Sequence, residues 1–298
     1  MSDPQPEQDQ DAVPFEEVDS ATLLPGPDAL DPLEAGHLLA RRPGRVIVWA
    51  GERESGKTTL SCELYERQRK PGNHLRFAGS ETLLALERLA HPSRASSGRR
   101  VRETRRTERD PDGRELLHLA LAPPSAQPVD LLLADLPGEM FRQLRDHEIT
   151  TAELPVLARA DKLALLADGA RLVDPNTRAN VASGIRQLLQ AIHANGALDP
   201  RTELALVVTM WDRIAGHQET EEYWVAREQQ LTAELRSIDP QAPVFRVAAR
   251  APADWPHPDG MRALTDWLMH PVRVTMDPPV ADGVIPGGLR QPKRLVPR

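Results

Sequence analysis

The sequence holds one cysteine, Cys62, in 298 residues. A lone cysteine excludes an internal disulfide and a zinc cluster of cysteines, and it fits a reducing compartment in which the thiol only packs a helix. The nine histidines show no metal-ligand spacing. No Ser-His-Asp order stands out, and there is neither an internal repeat nor a heptad array. No apolar run approaches the roughly 18 residues that a membrane span needs. The opening segment, MSDPQPEQDQDAVPFEE, lacks the positive start and apolar stretch of an export signal. A soluble cytoplasmic protein is the expectation. Residues 1–40 contain no Lys or Arg but ten Asp and Glu, so they carry −10 while the rest of the chain carries +3, for a formal total of −7. Pro4, Pro6, Pro14, Pro25, Pro27 and Pro32 fall in the same stretch. It cannot bury enough apolar surface to order itself and reads as an acidic disordered leader, either simply solvated or a docking peptide.

The length is enough for a substantial core. The expected organisation is a leader over 1–40, one domain over 41–270, and a loosely ordered tail over 271–298 that is rich in Pro and Gly and basic at its end (Arg290, Lys293, Arg294, Arg298).

What is present is a phosphate-binding signature. Arg45 to Gly51 reads as a buried strand, Gly51 to Thr58 spell GxxxxGKT, and Leu60 to Arg69 reads as a helix. Strand, glycine-rich loop and helix are the setting in which this motif carries chemistry. Gly51 and Gly56 let the backbone of Glu54, Ser55, Lys57, Thr58 and Thr59 turn its N–H groups inward, at the positive end of the helix, toward phosphate oxygens. Lys57 would reach the β- and γ-phosphates, and the Thr58 hydroxyl would hold Mg²⁺.

Downstream the chain alternates apolar runs with helical stripes. Strands are expected at His74–Phe77, Leu116–Ala122, Val129–Asp135, Leu163–Ala167, Leu204–Val208 and Val244–Ala248. Helices are expected at Ser80–Ala90, Asn176–Gly196, around Trp224 to Ile238, and at Met261–Met269. This spacing predicts an α/β fold with a mostly parallel, doubly wound sheet. His91 to Glu115 is an exception, with eight arginines among Ser, Gly, Glu and Asp, too polar to pack and too long for an ordinary connection. It is expected to be a switch or an insert. It has no interleaved aromatics to stack on bases, which argues against nucleic acid as the partner.

Two further motifs end apolar strands. Asp135-Leu136-Pro137-Gly138-Glu139 begins 78 residues after Lys57, with Asp135 suited to hold Mg²⁺ through water and the Gly138 N–H suited to bond a γ-phosphate. Thr209-Met210-Trp211-Asp212 follows a later strand, where Asp212 either reads a base or caps the next helix.

In this order GxxxxGKT, DLPGE and TMWD resemble the P-loop GTPases of the Ras-like and translation-factor class. More narrowly, Phe77-Ala78-Gly79-Ser80 with Thr82-Leu83-Leu84, Arg105-Arg106-Thr107-Glu108 and DLPGE resemble the bacterial double-GTPase family, second type. The resemblance implies GTP and GDP as ligands with Mg²⁺. It implies that Asp212 accepts the N1–H and exocyclic amine of guanine, that Thr209 belongs to the same motif, and that Ala248 and Ala249 stand where a base-contacting loop would lie. Met210 departs from the usual Lys but can still cover a ring with its polarizable chain.

Thr107, with Thr104 second, is the expected switch threonine that closes on Mg²⁺ and the γ-phosphate. Glu139 takes the place of a water-orienting Gln; a carboxylate accepts but cannot donate, so slow hydrolysis is expected. An arginine supplied in cis, from Arg105, Arg106, Arg142 or Arg145, or by a partner, would speed it. Members of the family are thought to act beside a second GTPase in multi-gene stress or conflict systems, so a protein partner is expected. The residues alone leave open a P-loop ATPase or small-molecule kinase, and a non-catalytic nucleotide-stabilised scaffold.

Overall fold

Runs of Val, Ile, Leu and Ala long enough to be covered on both faces become the middle of a sheet. A computed structural model describes residues 29–70, 72–91, 116–194, 196–252 and 254–273. Within them the strands are β1 (Gly44–Ala50), β2 (Arg76–Gly79), β3 (Leu116–Ala122), β4 (Val129–Ala134), β5 (Lys162–Asp168), β6 (Glu203–Thr209) and β7 (Val244–Arg246), in the order β2-β3-β4-β1-β5-β6-β7. Neighbours from β4 through β1, β5 and β6 to β7 pair in parallel. β3 is antiparallel to β4, and β2 to β3. The link from Pro123 to Pro128 is too short for a crossover helix, so β3 and β4 can only form a hairpin. The result is the expected mostly parallel α/β sheet.

Alternation along β1 feeds two cores. Val46, Val48 and Ala50 face α6 (Arg178–Ala194) and α8 (Gln218–Ile238), burying Ile185, Leu188, Trp224 and Leu231. Ile47 and Trp49 face the other way, onto Leu60, Leu64 and Tyr65 of α2 (Lys57–Gln68), Leu86 of α3 (Leu83–Ala90), and Leu264 and Leu268 of α9 (Met261–Met269). Cys62 is buried on that second side, where burial pushes its thiol up to about 12, which suits an inert packing residue. None of the helices among the described residues is long and apolar enough to cross a membrane.

Several boundaries differ from the sequence reading, each for a local reason. α1 (Pro32–Leu39) lies inside the expected leader: Asp31 and Glu34 form a capping box, and Ala35 and Leu38 are buried in the first core. Just before it, the Leu30 N–H donates to the Leu116 carbonyl at 2.8 Å and the Leu116 N–H to that of Leu30 at 3.2 Å. α3 starts at Leu83 rather than Ser80, because Ser80 Oγ donates to the His118 carbonyl and Thr82 Oγ1 accepts the His118 N–H. The expected last strand stops at Arg246, since the Ala248 N–H turns away to the Asp259 carbonyl.

The first residues of the expected loose tail are also pinned. Arg273 donates to both Asp239 oxygens at 2.7 and 2.6 Å and to Glu203 at 3.2 Å, and Glu203 also accepts from the buried Lys162. The arginine-rich stretch falls almost wholly on 92–115, and with it Thr104, Arg105, Arg106 and Thr107 lie outside the described residues, as do residues 1–28 and 274–298.

Candidate functional site

The loop from Gly51 to Gly56 turns tightly because two residues take left-handed backbone, Glu54 at φ 67° and Gly56 at φ 94°. For Glu54 that conformation costs on the order of 1–2 kcal/mol. Such strain gathers where a loop must point its amides in a fixed direction. Space at Gly51 is tight, because a Cβ there would lie 2.6 Å from Ser55 Oγ and 3.0 Å from Leu166 Cβ. Ser55 is buried, and its hydroxyl has no hydrogen-bond partner among the described residues.

α2 begins on Lys57 itself, directly after left-handed Gly56. The Lys57 ammonium folds back over the loop, donating to the carbonyls of Gly51 at 2.9 Å and Glu52 at 2.8 Å, with the Phe141 ring 5.9 Å away. Burial lowers its pKa to about 8, against the opposing pull of the Asp135 and Glu139 carboxylates. Its direct hydrogen bonds go to neutral carbonyls, which leaves its charge to be balanced only by the more distant carboxylates.

Next to it, Thr58 Oγ1 donates to Asp135 Oδ1 at 2.9 Å, across 77 residues of sequence. The end of β4 thus meets the start of α2. A hydroxyl and one carboxylate side by side suit Mg²⁺, a hard cation that draws most of its ligands from phosphate and water. Among the described residues, no group of three or more His, Cys, Asp or Glu offers an alternative cage.

The turn after Asp135 leads into α4 (Gly138–Arg145). A Cβ at Gly138 would stand 2.2 Å from the Arg53 nitrogen and 2.5 Å from its Cα, so only glycine lets the two backbones touch. Glu139 follows in the first turn of α4, close enough to Lys57 to act on its charge. Of the arginines considered for a role in cis, Arg142 faces Asp146 and Glu148 at 3.3 and 3.6 Å, and Arg145 pairs with Glu52 and Asp146.

β6 brings the third motif to the same end of the sheet. Thr209 is buried, and its hydroxyl lies 2.9 Å from the Ser55 carbonyl and 3.1 Å from that of Ala167, so this side chain braces the phosphate loop from behind. Met210 is left-handed, at φ 49°, and starts the short α7 (Trp211–Ile214). Asp212 is half-buried in that turn and caps nothing: no described residue bonds its carboxylate.

The Trp211 N–H donates to the Val247 carbonyl at 3.0 Å, which seats this turn beside Ala248 and Ala249. Ala248 is buried with its N–H spent on Asp259, and the Ala249 carbonyl accepts from Arg67 at 2.8 Å. The structure therefore gathers Gly51–Thr59, Asp135, Gly138, Glu139, Thr209, Asp212, Ala248 and Ala249 along one edge, at the carboxyl ends of β1, β4 and β6.

The sequence reading missed Glu52, which stands at a position where the motif accepts any residue. Its carboxylate accepts from Arg145 of α4 and from Arg171 of α5 (Gly169–Val173). The one available signal was Gly184, a glycine inside α6 that lies beside this pair.

A family model described as DO-GTPase2, Double-GTPase 2, matches residues 45–268. No curated protein matches the chain. Among solved structures, translation elongation factor SelB from Methanococcus maripaludis, in complex with the GTP analogue GPPNHP, is similar at 13% identity and a TM-score of 0.39. That likeness covers 76% of this chain and 33% of that one, so the chain spans about a third of the factor's length.

Proposed function

Because the chain belongs to the Double-GTPase 2 family, we propose that it is a molecular switch that binds guanine nucleotide with Mg²⁺ and hydrolyses GTP slowly. The observation that carries this reading is the Thr58–Asp135 hydrogen bond, which joins the phosphate loop to the aspartate-glycine turn.

The amides of Gly51, Glu54, Ser55, Gly56, Lys57, Thr58 and Thr59 would cradle the phosphates, and Lys57 would exchange its two carbonyl partners for phosphate oxygens. Thr58 and Asp135, joined by Thr107, would hold Mg²⁺, which when bound neutralises charge on the β- and γ-phosphates. The Gly138 N–H would donate to the γ-phosphate and lose that partner after hydrolysis, freeing α4 to move. Asp212 would accept both guanine donors, with Met210 covering the ring and Ala248 and Ala249 lining its edge. Thr209 would serve that site by bracing Ser55. Glu139 can accept but not donate, so turnover would be slow until an arginine arrives from outside the described residues. The partner bringing it would be a protein, a second GTPase or an effector, in the cytoplasm.

Titration of fluorescent GTP and ATP analogues, with Mg²⁺, into wild type, Lys57→Ala and Asp212→Ala tests the reading. GTP should bind more tightly than ATP. Each substitution should weaken GTP roughly 10- to 150-fold, the worth of a hydrogen bond to a charged group. ATP binding as tightly as GTP, with Asp212→Ala unchanged, would exclude a guanine switch.

A further inference from the structure

Glu52 joins three elements at one carboxylate. Arg145 of α4 donates to one oxygen, and Arg171 of α5 to the other at 2.6 Å. All three side chains are at most about a third exposed, at 27% for Glu52, 19% for Arg145 and 32% for Arg171. They border a cleft that Phe141, Leu166, Val181 and Leu188 also line, and partial burial beside apolar side chains strengthens the pairing relative to open water.

α6 packs beside the pair at Gly184. A Cβ at Gly184 would come to 3.4 Å from both Arg145 Nη1 and Glu52 Oε1, at the near limit of ordinary van der Waals contact, so α6 lies directly against the pair. α4 is thereby held at both ends, by the Gly138 backbone against Arg53 at its start and by Arg145 on Glu52 at its finish.

We propose that Glu52 is a positioning residue. Through Arg145 and Arg171 it holds α4 and α5 against the phosphate loop, so that the Asp135–Glu139 turn keeps the arrangement over Thr58 that turnover needs. Arg145 is then a strut of the site and not a charge offered to the γ-phosphate. The hydrolytic half of this proposal rests on the GTPase reading above; the mechanical half does not.

The test uses the full chain as wild type, Glu52→Gln, Arg145→Gln and the double variant, with two readouts. In nucleotide-free protein, amide hydrogen exchange along residues 138–145 should quicken at least about fivefold in each single variant, without a matching change in the slowest core amides. In steady-state GTP turnover, kcat should fall about tenfold with KM held within about twofold. The double variant should be no worse than Glu52→Gln alone, as expected if Arg145 acts only through Glu52. Unaltered exchange, or kcat losses that simply add, would overturn the proposal, as would faster exchange with unaltered kcat. If the wild type neither binds nor turns over GTP, the GTPase reading fails, and the exchange measurement still decides whether Glu52 anchors α4.

Discussion

At the scale of single residues, Lys57 makes the most quantitative statement. Burial holds its pKa at about 8 in the free protein, below the ordinary 10.5. A triphosphate set against the ammonium favours the charged form, so nucleotide binding takes up a proton once the pH exceeds about 8. Affinity for GDP should therefore be flat between pH 6.5 and 7.5 and fall up to about tenfold per unit above pH 8, as read by calorimetry in buffers of different ionisation enthalpy. The sign for folding is opposite. The unfolded chain binds this proton more readily, so the free protein should gain stability as the pH rises from about 8 toward 10.5. A GDP affinity independent of pH up to 9.5 would mean that Lys57 does not meet the phosphates.

At the scale of elements, the sheet is anchored opposite the site by the first residues after α9. Arg273 bridges Asp239 and Glu203, both 5% exposed. Burial alone would lift the pKa of each carboxylate, but the bonds from Arg273 and Lys162 leave both lowered. Their contribution to stability is thus present above the ordinary carboxylate range and lost as the pH falls below it, through the lowered folded values. Arg273 is itself 36% exposed, which weakens its share through solvent screening. Arg273→Ala should lower the unfolding free energy by about 1–3 kcal/mol, seen as a lower urea midpoint at unchanged slope. A shift under about 0.5 kcal/mol would mark the contact as ornamental.

Most of these elements could be read from the sequence because each advertises itself: β4 by its run of leucines, α2 by its position after a glycine loop, α9 by its Leu264–Leu268 stripe. α1 could not, since an eight-residue helix burying only Ala35 and Leu38 is hidden among acids and prolines. The same limit applied at the site. Gly51, Lys57, Thr58 and Asp135 belong to motifs of fixed spacing, whereas the contacts of Glu52 with Arg145 and Arg171 span 93 and 119 residues and follow no local pattern. Thr209 was legible as a motif member, but its bond to the Ser55 carbonyl exists only once β6 lies beside the loop.

At the scale of the whole molecule, a nucleotide bound as proposed would touch the ends of three strands at once, so its binding should be felt by the entire cooperative unit. GTP with Mg²⁺ at 100 times its Kd stabilises a protein by about 2.7 kcal/mol, if only the folded state binds. For a domain of this size that amounts to a rise in Tm of about 5–10 °C in differential scanning fluorimetry. ATP at the same concentration should leave the midpoint almost unmoved, and equal shifts from the two nucleotides would count against base discrimination by Asp212.

The rung between Leu30 and Leu116 has a practical consequence for anyone who shortens this protein. Trimming at residue 41, where the acids thin out, would strip the partner from the first rung of β3 and uncover the surface beneath Ala35 and Leu38. A cut before residue 29 leaves that seam closed.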